Sequence, residues 1–149
     1  MDNFLIDDVL NQQKEHLNVT YLAYCNSKLL GFFSLLTDNI RVNHIKEKIN
    51  ETYNVYPAVK IGRFAINKKY QSIGFGTILL DNICKNIQED ISEKVGTRFI
   101  TIDAYCKVVD FYFKNEFKNQ KIKNIEKLKR TAKRNEKTTI PLYKDIKRL

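Results

Sequence analysis

Long apolar runs, cysteine clusters and linker-like segments are missing from this sequence. The longest mainly apolar stretch near its start, Leu29–Leu36, is far shorter than the roughly 20 residues of a membrane-spanning helix. No Gly-, Ser- or Pro-rich segment divides the chain, which has only 5 glycines and 2 prolines among its 149 residues. We therefore predict one domain over residues 1–149 and no membrane partner.

The cysteines and the first residues exclude further classes of protein. Cys25, Cys84 and Cys106 stand at wide spacing without a metal-binding pattern, and their odd number disfavours a disulfide framework. We expect each to be a buried thiol, and we expect no metal site. Asp7 and Asp8 do not fit the positively charged start of a secretory signal, so we expect a cytoplasmic protein.

Positive charge is concentrated in one segment. The net charge is +9, and residues 118–137 carry nine Lys or Arg against two Glu. Such a segment favours an anionic partner, such as nucleic acid or a phosphorylated ligand. Ile122, Ile125 and Leu128 give it a dry side, as in an amphipathic helix or an extended hairpin. A solvated segment of a lysine-rich protein is the alternative.

Hydrophobic periodicity predicts an α/β fold with a mixed sheet. The predicted helices are Phe4–Leu17, Asn43–Asn50, a helix from Gly76 that stops before Gly96, and Val108–Phe117. The predicted strands are Val19–Cys25, Leu29–Leu36, Pro57–Ile66, Arg98–Ala104 and Thr138–Ile146, of which the first two form an antiparallel hairpin. Pro141 requires the last strand to lie at an edge or to carry a bulge.

Regular alternation sets the faces of the strand Pro57–Ile66. One face is predicted to carry Val59, Ile61, Arg63 and Ala65. The other is predicted to carry Ala58, Lys60, Gly62, Phe64 and Ile66.

A glycine loop, Gln71-Ser72-Ile73-Gly74-Phe75-Gly76, joins that strand to the following helix. Glycines let the backbone approach an anion, and the free N–H groups of a helix N-terminus attract one. The loop lacks the Gly-Lys-Ser/Thr ending of nucleotide triphosphatases, and Leu79 stands where a dinucleotide fingerprint has its third glycine. The loop therefore indicates an anion site of another kind, with ordinary turn chemistry as the alternative.

The loop and its neighbours resemble the GNAT superfamily of N-acetyltransferases. Gln71-x-x-Gly74-x-Gly76 resembles the Q/R-x-x-G-x-G/A motif of that superfamily. Residues 61–71, IGRFAINKKYQ, resemble the "LGRLAVDxxYQ" run of GNAT-type toxins, and Phe111-Tyr112-x-x-x-x-Phe117 resembles their "FYxxxGF" ending. The resemblance covers residues 19–117 and, loosely, the last strand.

The resemblance implies a mostly antiparallel central sheet with one splayed strand pair, flanked by helices. It also implies acetyl transfer from acetyl-CoA to a primary amine by direct attack. The backbone of Phe64, Ala65 and Ile66 would pair with the pantetheine arm, and Tyr112 would protonate the coenzyme A sulfur. The pyrophosphate would lie on the residues Gln71, Ser72, Ile73, Gly74, Phe75, Gly76 and Thr77.

The sequence departs from the family pattern at two places. Glu116 stands where the family usually has glycine, which implies a changed exit from the preceding helix, or strain. The chain also starts inside the first predicted helix, so the resemblance implies that the usual first strand is missing.

No general base is evident from the sequence. Asp103 and Glu51 are candidates, although a structural or solvated role is the simpler interpretation of Asp103. His16 and His44 have no acid or base partner nearby in sequence, and we expect them to be structural. Arg63 corresponds to a family position near the acceptor pocket, with a surface salt bridge as the alternative.

The acceptor is the least determined part of the function. The toxin-like run and the basic segment favour the amino group of an aminoacyl-tRNA, with Arg63, Asp103, Lys127, Lys129 and Arg130 as candidate acceptor-binding residues. A small amine, a protein amino group or a non-catalytic acyl-CoA-binding role are the alternatives. The resemblance further implies an antitoxin partner and a homodimer.

Overall fold

Helices and strands alternate along the chain. The computed structural model describes residues 4–49 and 52–148. The strands are β1 (Val19–Cys25), β2 (Lys28–Arg41), β3 (Val55–Ile66), β4 (Phe99–Tyr105), β5 (Lys118–Asn119) and β6 (Thr139–Asp145). The helices are α1 (Val9–Lys14), α2 (Phe75–Asn86), α3 (Ser92–Lys94), α4 (Val109–Lys114) and α5 (Ile125–Arg134). A π-helical turn, Phe4–Asp8, leads into α1, and another, Ile87–Ile91, joins α2 to α3.

The six strands form one mixed sheet in the order β1-β2-β3-β4-β6-β5. All neighbours are antiparallel except β3 and β4, which are parallel. The predicted mostly antiparallel sheet is therefore confirmed. The predicted hairpin is also present, with Asn26 and Ser27 at positive φ in its turn. Strand β2 runs to Arg41, beyond its predicted end, because it pairs with β3 as far as Val55.

The core lies on both faces of the sheet. Alternate residues along β4 divide between the faces, as Phe99 and Ile100 show. On one face Ile100 and its neighbours pack against the apolar stripe of α2, in which Leu80 and Ile83 are buried, and against Ile87 of the π-helical turn that follows. On the other face Phe99 belongs to a smaller cluster with Ile40, Ile45, Ala58 and Tyr143.

A bulge in β3 corrects the predicted faces of that strand. Ser34 of β2 is opposite Arg63, but the next residue, Leu35, is opposite Ile61, so Gly62 is the extra residue. Because the bulge shifts the alternation by one residue, Phe64 joins Ile61 in the cluster under α2. The expectation that Phe64 lies on the opposite face from Ile61 was therefore wrong.

Two other local predictions need correction. The segment predicted as a helix over Asn43–Asn50 forms only a 3₁₀ turn, Val42–His44, and Asn50 lies outside the described residues. By contrast, the predicted helix end before Gly96 is correct, because α3 ends at Lys94 and Val95 is already extended. Pro141 lies neither at the sheet edge nor in a bulge. Its carbonyl accepts a hydrogen bond from Gln120 N–H, just past the end of β5, so the proline nitrogen, which has no hydrogen to donate, faces the side where β5 has ended.

Glu116 sits in a backbone conformation that suits glycine. Its φ is 68°, directly after α4, where a left-handed residue commonly ends a helix. A side chain costs about 1–2 kcal/mol in this region. Within the described chain, Glu116 forms an ion pair with Lys144, in which Oε2 lies 3.3 Å from Nζ and the Glu116 side chain is exposed. Of the two predicted consequences of this residue, a changed helix exit or strain, the left-handed φ favours strain.

Replacing Glu116 by glycine should therefore stabilise the protein. We expect Glu116→Gly to raise the free energy of unfolding by about 1 kcal/mol, because relief of the left-handed strain exceeds the loss of an exposed ion pair. Urea unfolding measures the change. Glu116→Gln keeps the strain and removes the charge, while Lys114→Gly adds glycine inside α4 and should destabilise. A Glu116→Gly protein no more stable than Glu116→Gln would contradict the strain argument.

Candidate active site

A cleft of about 1460 Å³ opens where β3 and β4 diverge. The two strands pair only from Ala58 opposite Phe99 to Lys60 opposite Thr101. Beyond Lys60, β3 stays paired with β2 as far as Ile66 and leaves β4. The predicted splayed pair is therefore present, and the edge of β3 that faces β4 is left open over its last residues.

Most of the predicted site residues line this one cleft. They are Arg63, Phe64, Ala65, Ile66, Gln71, Ser72, Gly74, Gly76, Thr77, Asp103 and Tyr112. Ile73 and Phe75 are not among its lining residues. The Ile73 side chain is 64 % exposed, and the Phe75 ring packs edge-on against Tyr70. Two of the predicted cofactor-binding side chains therefore point elsewhere.

Side-chain amides fix the glycine loop to the strand before it. Gln71 Nε2 donates to the Ile66 carbonyl at 2.8 Å, across the connection. Asn67 Oδ1 accepts from Lys69 N–H at 3.1 Å, which caps the 3₁₀ turn Lys68–Tyr70. In this structure the Gln71 side chain anchors the loop backbone, so its contact with a ligand stays a prediction.

Gly74 begins α2 in a conformation that glycine favours. Its φ is 92°, and a Cβ there would meet nothing within 4 Å, so only the backbone conformation restricts the residue. The N–H of Ile78 donates to Gly74 O at 3.2 Å. The N–H groups of Phe75, Gly76 and Thr77 precede that bond at the positive end of a 12-residue helix. This turn is suited to binding an anion.

Tyr112 brings a neutral hydroxyl to the cleft. Its side chain is 6 % exposed and packs edge-on between the rings of Phe111 and Phe117, at 5.1 and 5.7 Å. Burial raises the pKa of Tyr112 to about 12. Near neutral pH the phenol is therefore protonated and available as a proton donor to a group in the cleft.

The candidate bases are occupied, remote or undescribed. Asp103 Oδ2 lies 2.5 Å from Lys60 Nζ, so this carboxylate is in an ion pair that bridges the diverging strands. Glu51 lies outside the described residues. In the described part of the chain, His16 and His44 form no ion pair with a carboxylate, and their structural role stays a prediction. The ion pair with Lys60 thus supports the structural interpretation of Asp103.

Several lining residues gave no signal in the sequence. Gly31 of β2 is one, because a Cβ there would lie 2.2 Å from the Ala65 carbonyl oxygen. Glycine therefore permits β2 and β3 to approach closely at the cleft, but a single glycine in a strand does not by itself predict such an approach. Other lining residues that sequence reasoning missed are Leu5, Asn67, Lys68, Tyr105, Lys107, Glu136, Lys137 and Thr139.

The basic segment forms an amphipathic helix, the first of its two predicted forms. Ile125 and Ala132 of α5 pack against the main core, and Ala132 is buried. Lys127 and Arg130 are exposed, whereas Lys129 is half-buried with Nζ 3.2 Å from Glu126 Oε1. Helix α5 contacts β6 and the 3₁₀ turn Cys106–Val108, which follows β4. These three cations lie outside the cleft lining.

The remaining expectations concern thiols, metals and membranes. Cys84 is buried and burial raises its pKa to about 11, but Cys25 is exposed at the end of β1 and Cys106 is half-buried, so the expectation of three buried thiols was wrong. The described residues include no group of three His, Cys, Asp or Glu that could hold a metal ion. No helix in the described part of the chain is long and apolar enough to cross a membrane.

Solved structures share this fold at low sequence identity. A Tyr-to-Phe variant of KacT matches 99 % of this chain and 82 % of its own, with a TM-score of 0.78 and 20 % identity. AtaT complexed with acetyl-methionyl-tRNAfMet matches 97 % and 81 %, with a TM-score of 0.76 and 20 % identity. An AtaT variant toxin bound to acetyl-CoA and the C-terminus of antitoxin AtaR matches 97 % and 78 %, with a TM-score of 0.70 and 19 % identity.

No protein-family model matches the sequence, and no curated protein does. The likeness to the GNAT-type toxins KacT and AtaT, over nearly the whole chain, confirms the predicted fold.

Proposed function

We propose that this chain is an N-acetyltransferase that transfers the acetyl group of acetyl-CoA to a primary amine, the amino group of an aminoacyl-tRNA. One observation carries the proposal: a single cleft joins the open edge of β3, the helix N-terminus at Gly74 and the protonated hydroxyl of Tyr112. These supply, in that order, an unpaired backbone edge, an anion-binding turn and a proton donor, which are the parts that thioester aminolysis requires.

The cleft residues suit acetyl-CoA, which supplies the activated acetyl group when bound. The loop from Gln71 to Thr77 would hold the pyrophosphate by its N–H groups. The backbone of Phe64, Ala65 and Ile66, on the edge that β4 leaves open, would pair with the pantetheine amides, and one N–H would polarise the acetyl carbonyl. Since Phe64 stacks on Phe111 at 6.0 Å, this part of β3 is held against the element that carries Tyr112.

Tyr112 would act as the acid and the amine itself would need no strong base. The buried phenol is neutral near pH 7 and would donate its proton to the departing coenzyme A sulfur. An α-amino group has a pKa of roughly 7.7–8.0, and an ester-linked one is lower still, so a large fraction is already neutral. The pairing of Asp103 with Lys60 is compatible with a reaction that uses no carboxylate base.

The acceptor proposal depends on the charge beside the cleft. Lys127 and Arg130 present exposed cations on α5, and α5 packs against the turn that follows β4. A tRNA backbone would bind such a surface without sequence readout. AtaT, which shares the fold, has been solved complexed with an acetylated tRNA. We propose Arg63, Asp103, Lys127, Lys129 and Arg130 as acceptor-binding residues.

The test of the function is a transfer screen with labelled acetyl-CoA against charged tRNA pools, polyamines and peptides. Label on the aminoacyl group of tRNA supports the proposal. Label only on polyamines or peptides would show that the acceptor is not tRNA. Binding of coenzyme A without transfer to any amine would show that the protein is a non-catalytic acyl-CoA-binding protein. An antitoxin partner, a homodimer and a cytoplasmic location stay predictions, with KacT and AtaR complexes as the precedents for a partner.

Gly74→Ala should weaken acetyl-CoA binding. No side chain blocks a Cβ at this position, so the cost comes from the φ of 92° and should distort the anion turn. We expect the Kd for acetyl-CoA to rise about tenfold or more by isothermal titration calorimetry. Gly96→Ala is the matched control, since its Cβ also meets nothing and no positive φ restricts it. Equal Kd values for the two variants would contradict the loop assignment.

Tyr112→Phe should lower the rate of transfer without loss of cofactor. Removal of a positioned acid typically costs about 10²-fold or more in kcat. Phenylalanine keeps the ring that packs between Phe111 and Phe117, so the fold and the Kd for acetyl-CoA should be preserved. Tyr24→Phe, at an exposed tyrosine of β1, is the control. An unchanged kcat in the Tyr112→Phe protein would remove the assigned acid.

Neutralising α5 should reduce the salt dependence of tRNA binding. For the triple variant Lys127→Gln, Lys129→Gln, Arg130→Gln, we expect the slope of log affinity against log salt to fall by about 2, since each phosphate contact contributes roughly 0.9. The expected change in slope is smaller than three full phosphate contacts would give, because Lys129 is already paired with Glu126. The control is Lys85→Gln with Lys94→Gln, both in helical ion pairs. A slope equal to that of the control would contradict this role of α5.

A further inference from the structure

Tyr105, the last residue of β4, is an exposed aromatic side chain on the wall of the cleft. It is 39 % exposed and lines the cleft, opposite Thr139 of β6. Within residues 4–49 and 52–148, its ring makes no aromatic contact and its hydroxyl no hydrogen bond. Neither the core nor the proposed chemistry accounts for an open ring at this place.

Tyr105 lies on the face of the sheet away from α2. Ala104 belongs to the cluster under α2, so Asp103 and Tyr105 project to the opposite side. Both line the cleft, and two residues along a strand separate them by about 6.8 Å. The loop that begins α2 would hold the cofactor pyrophosphate on the first face, which leaves the second face for the acceptor.

Two lysines line the same cleft as Tyr105. Lys107 follows Tyr105 by two residues, and Lys137 precedes its partner Thr139 by two; both are exposed and line the cleft. Glu136, which also lines the cleft, offsets part of this charge. The turn Cys106–Val108, directly after Tyr105, is the turn against which α5 packs. The basic helix therefore adjoins the rim of the cleft at the position of the open ring.

An exposed ring in a cleft that also holds lysines is suited to binding an unpaired nucleobase. Single-stranded RNA is held by stacking of its bases on aromatic side chains, while nearby cations hold its backbone. A small amine needs neither feature.

We propose that Tyr105 stacks on the 3′-terminal base of the acceptor RNA and so positions its ester-linked amine in the cleft. This inference rests on the proposed function for its choice of acceptor. The ribose, the ester group and the α-carbon separate that base from the amine, so a base stacked on Tyr105 would keep the amine inside the cleft that Asp103 also lines. The adenine of coenzyme A is the other possible base, and the test separates the two.

The test is a binding cycle with uncharged tRNA and the same tRNA lacking its 3′-terminal adenosine, at fixed salt. We expect the wild-type protein and Tyr105→Phe to bind the full-length tRNA about 5- to 150-fold more tightly than the trimmed one. Tyr105→Leu, which keeps an apolar side chain but no ring, should bind both equally. The Kd for acetyl-CoA should be the same in all three proteins.

Three results would overturn the inference: no tRNA binding by the wild-type protein, the same preference for the full-length tRNA in Tyr105→Leu, or a weaker Kd for acetyl-CoA in Tyr105→Leu alone. The last result would assign the ring to the cofactor adenine. The cycle needs no catalysis, so failure of acetyl transfer with an intact ring-dependent preference would reject the proposed function and retain the stacking site.

Discussion

The site depends on one geometric constraint: β3 must leave β4 while it stays paired with β2. The pairing with β4 ends at Lys60, yet the pairing with β2 continues to Ile66. Two glycines make this possible. Gly62 is the extra residue of the bulge, which bends the strand and shifts its alternation, and Gly31 admits the Ala65 carbonyl where any side chain would collide. Backbone hydrogen-bonding groups are thereby left for a ligand at the edge of a buried sheet.

The bulge also connects the backbone edge to Tyr112, the proposed acid. Because the alternation shifts at Gly62, Phe64 turns to the face of α2 and stacks on Phe111. Phe111 in turn packs against Tyr112 and lies 3.4 Å from the place where a Cβ of Gly76 would be. The Phe111 ring thus lies against Phe64 of β3, Tyr112 and Gly76 of the glycine loop, and it packs these three parts of the cleft together.

The sequence was sufficient for the fold class, and most of the site residues that it suggested lie in one cleft. Alternation and helical periodicity predicted the main strands and helices, but the helix predicted over Asn43–Asn50 is only a turn and β2 runs to Arg41 rather than to Leu36. The faces of β3 could not be predicted, because a bulge depends on pairing with a distant strand and Gly62 alone does not reveal it. Lys60 was missed for a similar reason: its ion pair with Asp103 exists only where two strands separated in sequence diverge.

The state of Asp103 bears on which amine the site can use. The Asp103 carboxylate is held in an ion pair 2.5 Å from Lys60 Nζ, so accepting a proton from the amine would cost that ion pair. A site built this way favours an amine that is already neutral over one that must be deprotonated. Lysine side chains and polyamines have pKa values near 10.4 and are almost fully charged at neutral pH, whereas an α-amino group near 7.7–8.0 is not. The ion pair and the basic helix therefore support the proposed aminoacyl-tRNA acceptor by two separate arguments, one from proton transfer and the other from charge.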